Sequence, residues 1–83
     1  MNTLFILCAE FGTGDIPLER VAEKYLGLDE KTARMRANRH DLPFPAYRPG
    51  SQKAPWLVRA DDLATWLDSE RGKASEEWRK RQA

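Results

Sequence analysis

The side chains best equipped for chemistry in this sequence are cationic, and they gather in its middle. Lys31, Arg34, Arg36, Arg39, Arg48, Lys53 and Arg59 fall between positions 31 and 59, against one acid, Asp41. That stretch carries +6, residues 1–30 carry −4 and residues 60–83 carry −1, so the formal net charge is only +1. A basic belt in an acidic frame presents a local field to phosphate without a high overall charge. Thr32 and Asn38 stand among the arginines, and Ser51 and Gln52 precede Lys53. Arginine pairs with guanine edges, asparagine with adenine, and hydroxyl, amide and ammonium groups with phosphate oxygens. Arg34, Arg36, Asn38 and Arg39 are therefore the candidate base-reading residues. Lys31, Thr32, Arg48, Ser51, Gln52 and Lys53 are the candidates for mainly phosphate contacts. Most charge runs are solvated faces, and most polar loop tips are no more than that. A basic helix followed directly by a basic loop is more specific than either part.

Other chemistries lack their residues. His40 is the sole histidine and Cys8 the sole cysteine, so no metal-ligand spacing and no internal disulfide can be drawn. Gly12 and Gly14 lack the third glycine and preceding strand of a nucleotide fingerprint. No nucleophile has an evident base. The expectation is a non-enzyme with no cofactor and no metal. Leu4–Ala9 is too short an apolar run to span a membrane, and no positive leader precedes it. A cytoplasmic protein without membrane contact is expected, and a lone Cys8 suits a reducing compartment.

The elements that position the cationic residues follow from periodicity and punctuation. Residues 2–11 form a short helix with Leu4, Leu7 and Cys8 on one face, and Phe11–Asp15 a turn. Ile16-Pro17 opens the next helix, with Pro17 at its first position. Leu18, Val21, Ala22, Tyr25 and Leu26 make its apolar face and Gly27 ends it. Asp29 caps a helix over Glu30–His40, whose inward residues are Ala33, Ala37 and Met35. Two helices joined by a short glycine-containing turn are a helix-turn-helix layout. Leu42-Pro43-Phe44-Pro45 stops the chain from continuing helical. Ala46–Arg48 and Trp56–Arg59 are extended and flank a Pro-Gly turn, a β-hairpin or wing. Asp61 and Asp62 start a further helix with Leu63, Trp66 and Leu67 buried, and Gly72 ends it. Tyr25, Phe44, Trp56 and Trp66 are expected in the core. Trp78 is either a docking residue for a partner chain or a cap on the domain's own core.

With these elements placed, a family resemblance emerges. The segments Ile16-Pro17-Leu18-Glu19-Arg20-Val21, Tyr25-Leu26-Gly27-Leu28, Leu42-Pro43-Phe44-Pro45, Ser51-Gln52-Lys53-Ala54-Pro55-Trp56-Leu57-Val58 and Asp62-Leu63-Ala64 resemble the pyocin activator protein family, the PrtN type. The resemblance covers residues 2–71, and the run at 51–58 is its most specific part. It implies a small transcriptional activator that binds DNA upstream of bacteriocin or phage-like genes. More loosely, Thr32, Leu42-Pro43, Arg48 and Asp62-Leu63 are similar to excisionase and MerR-like winged domains, in which the second helix enters the major groove and the wing flanks it.

The expected fold is mainly α with a small β-hairpin, a winged helix-turn-helix of the MerR/excisionase-like kind with an extra N-terminal helix. Residues 1–72 form the domain and residues 73–83 a charged tail or helix. The expected function is sequence-specific activation. The helix at 30–40 reads the major groove, and the wing at 46–58 holds the backbone or the minor groove. Alternatives are an excisionase-like factor that bends DNA and a phage-type protein-interaction module. The partners are double-stranded DNA, RNA polymerase where activation works by contact rather than by DNA shape, and a second copy, as a homodimer or in tandem on DNA.

Overall fold

A computed structural model describes residues 2–82. Its elements are α1 (Thr3–Phe11), β1 (Asp15–Pro17), α2 (Leu18–Val21, continued by a π-helical turn, Ala22–Leu26), α3 (Glu30–Asn38), β2 (Leu57–Arg59) and α4 (Ala60–Gln82). The fold is mainly helical with one two-stranded antiparallel sheet.

Helices α1 and α3 start where a side chain satisfies a loose backbone N–H, and they end on backbone bonds. The Asn2 carboxamide accepts from Phe5 N–H at 2.8 Å, and Gly12, at φ 72°, closes α1 by donating to Cys8 C=O. The Asp29 carboxylate accepts from Thr32 N–H at 2.8 Å and starts α3. That hydrogen bond, with the Lys31 charge as a lesser cause, holds the Asp29 carboxyl below its ordinary value. Helix α3 ends at Asn38, short of the expected His40. His40 adopts φ 54°, Asp41 N–H returns to Arg36 C=O at 2.8 Å and His40 N–H to Ala37 C=O at 3.1 Å. This closes a left-handed C-terminal cap on a residue that is not glycine.

Two small antiparallel pairings hold the middle together. Strand β1 pairs with β2 in the register Asp15↔Arg59, Ile16↔Val58 and Pro17↔Leu57. Ile16 and Pro17 therefore belong to a strand, not to the opening turn of a helix, and α2 begins at Leu18. Pro17 has no N–H to donate and takes ψ 131°, which suits a strand end, while Leu18 N–H donates to Trp56 C=O at 3.0 Å. The hairpin expected between 46–48 and 56–59 is reduced to one bridge, Tyr47↔Leu57, with reciprocal hydrogen bonds of 2.9 and 2.8 Å. Leu57 thus touches β1 on one side and Tyr47, at the start of the Pro-Gly loop, on the other.

The core lies where α2, α3, the sheet and the first half of α4 meet. Ile16, Leu18, Val21, Val58 and Leu63 are its largest enclosed side chains, joined by Leu7, Phe44 and the alanines Ala22, Ala33, Ala37, Ala60 and Ala64. Phe44 is buried and meets Trp66 edge-on, the ring centroids 5.4 Å apart. Trp56, Trp66 and Tyr25 are half-buried at the rim rather than inside. Met35, expected inward, is 43% exposed. It sits midway between Ala33 and Ala37 in sequence, which turns it to the opposite side of α3. On α1, Leu7 is buried and Cys8 half-buried, but Leu4 is exposed.

Gly72 does not end α4. The helix runs unbroken from Ala60 to Gln82, because a glycine weakens a helix interior by only about 1 kcal/mol. Among the described residues, no helix is long and apolar enough to cross a membrane.

Two measurements check this packing. Leu63→Ala removes a fully enclosed core side chain of α4 and is expected to cost about 2–5 kcal/mol in chemical denaturation. Asp29 titrates below its unfolded value when folded, so its cap stabilises fully above the ordinary carboxylate range and is lost as pH falls through the lowered value. Asp29→Asn keeps the cap acceptor and is expected to flatten that part of the melting-temperature profile on the acid side.

Candidate nucleic-acid interface

Helix α3 buries only Ala33 and Ala37, so most of its circumference is presented to solvent. The exposed part divides into two stripes. Lys31, Arg34 and Asn38, spaced three and four apart, share one side, and Thr32, Arg36 and Arg39, spaced four and three apart, share the other. Met35 stands between them at the crest. The six residues expected to act together therefore point two ways. Arg36 is two positions from both Arg34 and Asn38 and projects toward the opposite flank.

The first stripe borders a groove. Arg34 and Asn38 line one wall, and Arg48, Gln52, Lys53 and Trp56 line the other, around a volume of about 370 Å³. The fold thus gathers five of the sequence-selected residues from two separate segments. Thr32, Arg36, Arg39 and Ser51 do not line this groove, nor does Lys31. Glu19 and Glu30 do, and sequence reasoning passed over them. Glu30 approaches Arg34 at 3.8 Å across one helical turn, an exposed pair of little energetic weight. Arg34 therefore stays free to meet a stronger anion.

The loop wall is shaped by Arg48. Its guanidinium lies over the Trp56 ring, 4.4 Å from the centroid, and its Nη1 donates to Gln52 C=O at 2.9 Å. The Tyr47↔Leu57 pairing sets residue 48 opposite residue 56, which is why these two meet. Arg48 is thus a strut of the loop with part of its donor set already used. Trp56, expected in the core, is the platform that carries it. The tip beyond is exposed. Gly50 turns at φ 87°, Ser51 Oγ accepts from Lys53 N–H at 3.3 Å, and Ala54 N–H donates to Ser51 C=O at 3.1 Å. These bonds fix the backbone and leave the Gln52 and Lys53 side chains outward.

A second polar set braces the loop from behind. The Tyr47 hydroxyl donates to the Asp15 carboxylate, which together with burial pushes the phenol above its ordinary value. Arg59 donates through Nε to Asp61 at 3.0 Å, and its guanidinium is raised and the Asp61 carboxyl lowered by that contact. Arg59 is therefore tied to the start of α4 and does not add to the groove.

The groove offers planar, forked and point-charge donors on two walls with a half-buried aromatic floor. It can hold an extended polyanion. It has no nucleophile–base pair, and among the described residues there is no group of three or more metal-ligating side chains. Arg48→Ala is expected to loosen the loop, seen as faster amide exchange at Gln52 and Lys53. Melting should change little, since the residue packs at the rim.

Comparison with known proteins gives one finding of weight. The model of a family described as pyocin activator protein PrtN matches residues 3–74. No curated protein and no solved structure matches the chain.

Proposed function

Because the chain belongs to the pyocin activator protein family, we propose that it activates pyocin genes by binding DNA as a winged helix-turn-helix protein. The family is one of regulatory activators and not an enzyme class. In this reading α2, the turn Gly27-Leu28-Asp29 and α3 form the helix-turn-helix, and the loop from Arg48 to Trp56 is the wing. The observation that carries it is the shared groove. Arg34 and Asn38 on α3 face Gln52 and Lys53 on the loop, with the most basic part of the chain around them.

The roles follow from position. Arg34 and Asn38 reach base edges in the major groove, and Lys31 reaches phosphate beside them. Met35, at the crest, makes apolar contact with the groove floor. Arg36 and Arg39, on the far flank, contact the other strand's backbone or base edges. Gln52 and Lys53 grip phosphate or enter the adjacent minor groove, and Arg48 holds the wing in shape. Thr32 and Ser51 supply hydroxyls at the edges of this footprint. Activation then proceeds by contact with RNA polymerase or by a change in DNA shape.

The test is binding to DNA fragments taken upstream of pyocin genes, against unrelated fragments, at two salt concentrations. One fragment is expected to bind far more tightly than the rest. Arg34→Ala should cost about 1–3 kcal/mol and relax the preference, whereas Lys53→Ala should weaken all fragments alike and lower the salt slope by about 1. Equal weak binding to every fragment, unchanged in both variants, would overturn the proposal.

A further inference from the structure

Helix α4 is longer than the body it packs on. Its buried residues, Ala60, Leu63 and Ala64, and half-buried Leu67 face the core, and Thr3 Oγ at the start of α1 donates to the Asp68 carboxylate. Beyond Asp68 the helix continues to Gln82, about 20 Å at the usual rise, and among the described residues this stretch is exposed apart from half-buried Ser75. The stripe continues too. Leu67, Arg71, Ala74 and Trp78 follow at three- and four-residue spacing, and Trp78 is 63% exposed. A shallow depression lies here between Arg71, Ala74, Ser75, Trp78 and Arg79.

The charges beside this stripe have an order that complements itself when reversed. On one flank lie Asp68 and Arg79, and on the other Glu70, Lys73, Glu77 and Arg81. An antiparallel pair of identical helices sets each flank against itself. With Ala74 and Ser75 at the two-fold axis, Asp68 faces the partner's Arg79, Glu70 the partner's Arg81 and Glu77 the partner's Lys73. Trp78 then covers the partner's Arg71 and Ala74, a cation over a ring beside a small residue. A parallel arrangement would instead set Arg71 against Arg71 and turn Glu70 and Glu77 toward the uncharged Ser75 and Gln82 of the opposite flank. Among the described residues, Arg71 meets Asp68 and Lys73 meets Glu70 one turn away, both at 3.8 Å and exposed, and Asp68 also accepts from Thr3 Oγ. Such contacts are readily exchanged.

We propose that the outer half of α4 is a self-association surface, which pairs antiparallel with the same segment of a second copy of this chain. The pairing extends the apolar stripe from the core across the two-fold axis and brings the partner's helix end beside exposed Leu4 and Phe5 at the start of α1. It does not depend on the DNA-binding reading, because none of its residues lines the groove at α3.

Sedimentation of the intact protein over a range of concentrations, without DNA, tests the pairing. Wild type is expected to pass from monomer to dimer, and Trp78→Ala to weaken the dimer by roughly tenfold or more. Circular dichroism confirms that the variant still folds, since Trp78 is outside the core. Charge reversal sharpens the test. Glu70→Arg sets two like-charge contacts across the axis, as does Arg81→Glu, so each variant alone is expected to dimerise several-fold more weakly. An equimolar mixture of the two is expected to form a heterodimer of near wild-type strength, a rescue that no contact within one chain supplies. A wild type that stays monomeric at all concentrations, a dimer indifferent to Trp78→Ala, or a mixture that fails to recover each overturns the proposal.

Discussion

The pairing of Ile16 with Val58 holds the rest of the fold in place. Both side chains are fully enclosed, and their strands are three residues each, so the sheet has little strength of its own. Its weight lies in what it connects. β1 leads straight into α2, β2 leads straight into α4, and Ala60 N–H crosses to Gly14 C=O at 2.8 Å. Fixing one residue pair therefore sets the starting points of two helices. It also positions Leu57, whose far side pairs with Tyr47 and so anchors the basic loop.

From that anchor the groove follows in steps of decreasing enclosure. Val21 and Leu18 fasten α2 to the sheet, and Ala33 and Ala37 let α3 approach closely because alanine adds almost no width. A helix held by two alanines spends little of its surface on packing and leaves the rest for charged side chains. The loop is held by a ring face and a few backbone bonds, not by burial. Burial falls and charge rises from the sheet outward. Helix α4 follows the same logic in the other direction, with its stripe apolar inside the body and mixed outside it.

Much of this was legible from residue order. Asp29 before α3, Gly27 after α2 and the alanine spacing all act within one or two helical turns, and local rules capture such effects. The basic belt, too, was visible as composition. Ile16-Pro17 looks like a helix start until Val58 is present to pair with it. Trp56 looks like core until the bridge sets Arg48 opposite. Met35 looks inward until the alanine stripe is seen to close without it. Gly72 looks like a stop until the helix around it proves strong enough to continue. Met35 follows from helix phase relative to the two alanines; in the other cases a partner distant in sequence, or the sum of many weak local terms, outweighed a single local preference.

The sequence alone therefore determined the family, the order of helices, the Gly27 end of the second helix, the Asp29 cap of α3, and the location of the positive charge. These depend on near neighbours and on composition, which the chain carries without folding. Tertiary structure decided which cations share a groove, dividing Arg34 and Asn38 from Arg36 and Arg39. It also turned Arg48 into a strut on Trp56 and left Trp78 uncovered. The reason is geometric. The direction a side chain faces is set by helix phase relative to the core, and the core exists only once Ile16 and Val58 have met.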